Sequence, residues 1–178
     1  ALGRTPNTDG LNLSAAGVEL DERGYVRVND RLETSAPATW ALGDVNGGPQ
    51  FTHVSLDDAR IVMSNLAGGN RSTNDRLIPS TMFIDPELGR IGLTETEARR
   101  QGRAIRVAKL PVAAIPRART MLETRGFLKA IVDAQTDRIL GASILAPEGG
   151  EVMAVIQVAM LGGLPYTALR DNIFAHPT

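Results

Sequence analysis

Three places in the sequence combine residue types and spacing that could do chemistry. The first is the apolar run Trp40-Ala41-Leu42, closed by Gly43-Asp44. A strand ending this way delivers a carboxylate to the carboxyl edge of a sheet, where it can accept hydrogen bonds from sugar or polyol hydroxyls, and Gly43 lets a ligand approach the backbone closely. By residue type alone the same pair also reads as a simple turn. The second is Gln50-Phe51-Thr52-His53, at the start of a helical pattern. A helix N-terminus there offers N–H groups and a positive dipole to an electron-rich ligand. Backbone donors tolerate many side chains, so residue type decides little there, and His53 equally reads as a first-turn residue that satisfies local groups. The third is His176-Pro177, where the chain leaves the helical path and an imidazole can be presented toward a partner. A histidine in such a place is also often idle. Arg117, Arg119 and Arg125 gather near Pro116 and read as a solvated basic loop without function.

Composition limits the chemistry. Without cysteine, the 178 residues provide no disulfide, zinc-thiolate site, thiol nucleophile or redox Cys pair. No metal site is expected. Nineteen Lys and Arg against twenty Asp and Glu leave a net charge of −1, which lacks the basic footprint of a nucleic-acid binder. The longest nearly apolar run, Val152 to Leu164, falls short of the roughly 20 residues that span a bilayer. Hydrophobic content of 43% is enough for a real core, so a soluble globular protein with neither nucleic-acid nor membrane partners is expected. Ala1-Leu2-Gly3-Arg4 carries no initiator Met and no signal-peptide pattern, and reads like the middle of a longer protein.

The elements that must position these residues follow from periodicity. Gly3 to Gly10 reads as an exposed connector. After the turn Asp21-Glu22-Arg23-Gly24, the alternation in Tyr25-Val26-Arg27-Val28 predicts a short strand with one buried face, and Trp40 to Gly43 a better buried one. Val54, Ile61, Val62 and Leu66 share one helical stripe, which ends at Gly68-Gly69. The polar run Asn70 to Asp75 marks a domain boundary. Beyond it, strands are predicted at Thr81 to Ile84, Arg90 to Leu93 and Ile105 to Val112, and a hairpin at Phe127 to Val132 and Ile139 to Leu145. Thr94-Glu95-Thr96-Glu97 is a capping box opening a short helix that Gly102 closes. Val152 to Gly163 reads as an amphipathic to wholly buried helix, core or subunit interface, and Pro165 starts a last helix carrying Leu169 and Ile173. The order β-β-α-β-β-β-α-α predicts an α+β domain with helices on an antiparallel sheet.

Taken together, the motifs resemble the pyridine nucleotide-disulfide oxidoreductases, flavoproteins with two dinucleotide-binding domains. Thr34 to Asp44 resembles the second flavin motif, in which Thr, an aromatic, Ala, an aliphatic and Gly-Asp recur; Trp40 stands where many members have Tyr. Gly3-Arg4-Thr5-Pro6-Asn7 resembles the hinge from the NAD(P)H domain back to the FAD domain. Pro79 to Glu87 and Gly89 to Glu95 resemble consecutive motifs of the carboxyl-terminal interface domain. The resemblance implies residues 1–10 as the end of the NAD(P)H domain and the hinge, 11–70 as the distal half of an FAD-binding α/β domain, and 77–178 as the dimerisation domain.

It further implies that Gly43 and Asp44 hold the ribityl chain of FAD, that Gln50, Phe51, Thr52 and His53 lie at the flavin ring, and that His176 is the acid/base acting across a homodimer interface on the partner's redox disulfide. The implied parent is a cytoplasmic FAD- and NAD(P)H-dependent oxidoreductase with a disulfide or metal-ion substrate at the subunit interface. The resemblance is greatest to mercuric reductases and reactive-chlorine-responsive flavoproteins. The first Gly-rich FAD fingerprint, the redox Cys pair and the NAD(P)H fingerprint do not occur in the sequence, and the family's terminal Glu would fall beyond Thr178. The chain therefore reads as the distal part of a protein of roughly 450 residues, inactive by itself. The alternative is a non-catalytic dimerisation or scaffold module derived from the family, which would have no need to keep Asp44, Thr52 and His176.

Overall fold

The computed structural model describes residues 3–74 and 76–178, so Ala1, Leu2 and Asp75, at the ends of the predicted hinge and linker, lie outside the described residues. The chain forms two compact units, one ending at Arg76 and the other beginning at Leu77.

In the first unit, side chains of turn residues organise the backbone. Asp21 Oδ1 accepts the amides of Arg23 (2.8 Å) and Tyr25 (2.9 Å), which closes the predicted turn. Tyr25 and Val26 are then both buried, and the expected strand reduces to an isolated antiparallel bridge between Leu20 and Val26. The reason is the short reach of the pairing: the Asp21 amide donates to the Tyr25 carbonyl and the Arg27 amide to the Glu19 carbonyl, but the Glu19 amide donates to Ser35 Oγ (2.8 Å) instead of returning a bond to Arg27. Trp40 to Gly43 departs from expectation in the same way. Trp40 bridges only Glu33, Leu42 is 39% exposed, and the chain turns at Gly43–Asn46 into a 3-10 helix.

Helix α1 (Thr52–Leu66) follows the predicted stripe, burying Val54, Ile61 and Val62, although Leu66 at its last turn is exposed. Ile61 and Val62 pack with Leu32 against Val28 and Trp40, and each such aliphatic side chain contributes about 1.5–3 kcal/mol by leaving water. A second cluster joins Val18, Val26, Ala36 and Ala41.

The second unit is the α+β arrangement predicted. Strands β1 (Ser80–Met82), β2 (Leu88–Gly92), β3 (Ile105–Pro111), β4 (Phe127–Asp133) and β5 (Ile139–Leu145) form one antiparallel sheet in the order β1-β2-β5-β4-β3. Asp133 Oδ1 shapes the β4–β5 hairpin by accepting the amides of Gln135 (3.0 Å) and Thr136 (2.8 Å) and the Thr136 hydroxyl (2.9 Å). Helix α2 (Glu95–Arg100) carries the predicted capping box, with the Glu97 amide donating to Thr94 Oγ1 and the Thr94 amide to Glu97 Oε2. Arg117 and Arg119 lie in a short helix, α3 (Pro116–Thr120), and not in the loop expected of them, because Pro116 at its first position starts a turn that buries Ala118.

Helix α4 (Gly149–Leu161) packs on β5, β2 and β1, and its Met153 joins Ile91, Ala142 and Ile144 in the core. At Gly89 on β2 a Cβ would run into the Gly149 carbonyl, so only glycine admits this approach. The helix is not wholly buried: Val152, Val155, Val158 and Leu161 are 39–69% exposed, because an all-round apolar helix on one side of a sheet covers only one face. Helix α5 (Tyr166–Arg170) ends before Ile173, which is 95% exposed outside it.

Candidate functional site

The Gly43–Asn46 turn is built to present Asp44. Gly43 has φ +74°, and a Cβ there would stand 3.0 Å from Ser55 Oγ on the first turn of α1, so backbone and helix meet closely at this point. The Gly43 amide donates to Asp58 Oδ2 (2.9 Å), Asn46 Nδ2 donates to the same oxygen (3.2 Å), and the Gly47 amide closes the turn on the Asp44 carbonyl (3.2 Å). Asp44 itself points outward with its side chain 55% exposed. It is paired with Arg4 Nη1 at 3.3 Å. An exposed pair of this kind is worth about 0–1 kcal/mol, so the carboxylate is readily given up to better donors.

Gln50, Phe51, Thr52 and His53 surround the start of α1. Phe51 is its N-cap, provides no side-chain cap, and accepts the Val54 and Ser55 amides on its carbonyl (both 3.0 Å). The helix therefore opens on backbone polarity instead of a capping side chain. The rings of Phe51 and His53 stack with centroids 5.2 Å apart. Gln50 Nε2 donates to the Tyr25 hydroxyl (3.1 Å), which donates to the Arg4 carbonyl (3.4 Å), and these residues line a polar cleft of about 530 Å³ together with Gly3, Arg23, Gly47 and Gly48.

His176 stands in the second unit, in the exposed tail after α5 and not at a helix end, because helical bonding stops at Asp171. Phe174 and Thr178 of the same tail border an apolar groove of about 520 Å³, along with Ile115, Leu128, Val152, Val155 and Ile156. The structure thus gathers Gly43, Asp44 and residues 50–53 in the first unit, and holds His176 in the second.

Sequence reasoning missed Asp58, Arg76, Arg4 and Tyr25. Asp58 is 2% exposed and accepts Arg76 Nη1 at 2.6 Å. Its signal was present: a carboxylate on the apolar stripe, four residues after Val54 and four before Val62.

Residues 78–178 match the family described as pyridine nucleotide-disulphide oxidoreductase, dimerisation domain, and residues 1–59 match pyridine nucleotide-disulphide oxidoreductase. The chain belongs to this family. Among pyridine nucleotide-disulphide oxidoreductases it is 52% identical to the probable oxidoreductase RclA of Escherichia coli K12, over 100% of this chain and 41% of RclA. A solved structure of RclA, titled an HOCl-induced flavoprotein disulfide reductase, superposes with a TM-score of 0.95 at 52% identity, over 100% of this chain and 41% of that one. The expected resemblance to reactive-chlorine-responsive flavoproteins is borne out by these matches. The dihydrolipoyl dehydrogenase of Thermus scotoductus is 40% identical (100% of this chain, 38% of that protein) and the mercuric reductase of Lysinibacillus sphaericus 37% (100% and 33%). The chain therefore spans about two fifths or less of the length of these relatives. The α+β fold expected for the dimerisation domain agrees with the matches. No helix among the described residues is long and apolar enough to cross a membrane.

Proposed function

We propose that this chain supplies the flavin contacts, the dimer interface and the proton-shuttling histidine of a cytoplasmic, homodimeric, FAD- and NAD(P)H-dependent oxidoreductase that reduces a disulfide or a metal ion. Residues 1–10 act as the hinge, 11–70 as the distal half of the FAD domain and 77–178 as the interface domain. The observation that carries this reading is the Gly43–Asn46 turn, which projects a half-exposed Asp44 carboxylate beside a helix start without a side-chain cap.

The residues fit FAD. Asp44 would accept the ribityl hydroxyls, Gly43 leaves its backbone open, and the start of α1, with Gln50, Phe51, Thr52 and His53, would face the electron-rich edge of the ring. The bound flavin supplies two-electron chemistry that no side chain of this chain can provide. His176, on an exposed tail beside an apolar groove, holds and returns a proton at the partner's redox sulfur. With no cysteine of its own, the chain depends on a redox pair and Gly-rich fingerprints supplied elsewhere in the enzyme. That same lack of cysteine favours the second reading, a dimerisation module without catalysis.

The two readings separate on Asp44→Asn in the flavin-loaded holoenzyme. Losing a charged acceptor is worth about 1.5–3 kcal/mol, so FAD should bind roughly 10- to 150-fold more weakly. Unchanged FAD affinity would contradict the assignment of Asp44 to the flavin.

A further inference from the structure

Asp58 is buried, yet it lies on the apolar stripe of α1 among Val54, Ile61 and Val62. A hydrophobic residue there would serve packing at least as well, since a buried ion pair rarely outperforms apolar side chains of similar volume. The two oxygens of Asp58 are divided between different tasks. Oδ2 receives the Gly43 amide (2.9 Å) and Asn46 Nδ2 (3.2 Å), the residues that bracket Asp44. Oδ1 receives Arg76 Nη1 (2.6 Å), which also reaches Asp57 Oδ2 at 3.3 Å and whose side chain is only 17% exposed. Arg76 thereby fixes the rotation of the carboxylate that grips the turn, and with one oxygen held on each side Asp58 has little freedom to swing.

We propose that Asp58, oriented by Arg76, is a positioning residue that sets the direction and reach of Asp44 toward the hydroxyls of the flavin ribityl chain; this rests on the flavin reading of Asp44. Arg76 is the last residue of the first unit, so the clasp also ties the end of that unit to the turn. The sequence keeps a costly buried charge because its partners are the turn that carries the ligand-binding carboxylate.

A double-mutant cycle on FAD affinity in the holoenzyme tests this, using apoprotein titrated with FAD and followed by flavin fluorescence, with Asp44→Asn, Asp58→Asn and the pair. Asp58→Asn is expected to weaken FAD roughly tenfold when Asp44 is present. In the Asp44→Asn background it should change affinity by no more than about twofold, the usual scatter of additive sites. A loss of equal size in both backgrounds would make Asp58 merely structural and overturn the proposal. So would an affinity unchanged by Asp58→Asn alongside a loss from Asp44→Asn, an outcome that leaves the flavin reading standing. No loss from Asp44→Asn removes the flavin reading itself and this proposal with it. Should Asp58→Asn fail to fold, Asn46→Ala, which removes one turn contact and leaves the Asp58–Arg76 pair intact, takes its place in the cycle under the same criteria.

Discussion

The proposed function gives Asp44 and His176 different tasks, and their surroundings differ. A ribityl ligand would need Asp44 held still, and its turn is closed by the Gly47 amide and pinned through Gly43 and Asn46. In the proposed role His176 would exchange protons with a group outside its own fold, and it sits in an exposed tail. Replacing His176 by Gln in the holoenzyme should slow disulfide exchange by about 10²- to 10⁴-fold, the range of a general acid–base group, while FAD affinity stays as it was. Stopped-flow kinetics with the reduced enzyme checks this, and an unchanged exchange rate would remove His176 from the proposed mechanism. Gly-Asp after an apolar run made Asp44 a candidate that by residue type also reads as a simple turn, and the whole pattern Thr34 to Asp44 singled it out. Asp58 showed only as a carboxylate on the apolar stripe of α1, without its partners. Its partners lie 12 to 18 residues away, and spacing alone does not show which carboxylate on a helix face meets a turn.

Local elements were the most legible. The α2 capping box needs only the four residues Thr94 to Glu97, and the β4–β5 hairpin turn needs only Asp133 to Arg138. The extended segments of the first unit were not legible as bridges, because alternation of residue types does not show how far pairing runs, and Val26 pairs with Leu20 and Trp40 with Glu33 at a single bridge each. Nor did the length of α5 show in the i, i+4 pair Leu169 and Ile173, since helical bonding stops at Asp171. Thr94→Ala should cost about 1 kcal/mol by removing the cap, measurable by urea unfolding of the second unit. The box also carries a pH signature. The Thr94 hydroxyl, and then the Thr94 amide, hold the Glu97 carboxyl below its ordinary value. A folded value below the unfolded one stabilises the protein above the ordinary glutamate range and loses that contribution as pH falls through the depressed value, so Thr94→Ala should flatten the acid limb of the stability curve. An identical acid limb in the variant would contradict the cap.

On α4, Val158 and Leu161 are 69% and 67% exposed. If this face joins two copies, Val158→Asp or Leu161→Asp should shift dimer toward monomer in sedimentation velocity with stability of the second unit changed by no more than about 0.5 kcal/mol, as for other surface substitutions. A dimer that persists would place the interface elsewhere.

For the molecule as a whole, two compact units meet the family in two successive matches, and each unit carries one half of the proposed chemistry. In the proposed function the first would offer a carboxylate and a helix start to a cofactor, and the second an apolar face and an exposed imidazole to a partner. Neither unit contains a thiol, so the account requires a redox pair and a flavin brought by further polypeptide. The most direct test is an intact mass recorded with a visible absorption spectrum on the protein purified from its natural source. A chain heavier than 19.0 kDa, or a companion polypeptide, carrying a flavin spectrum is the expected result. A 19.0 kDa chain without companion or flavin band, which stays colourless after incubation with FAD and still dimerises, would contradict the enzyme account and leave the dimerisation module.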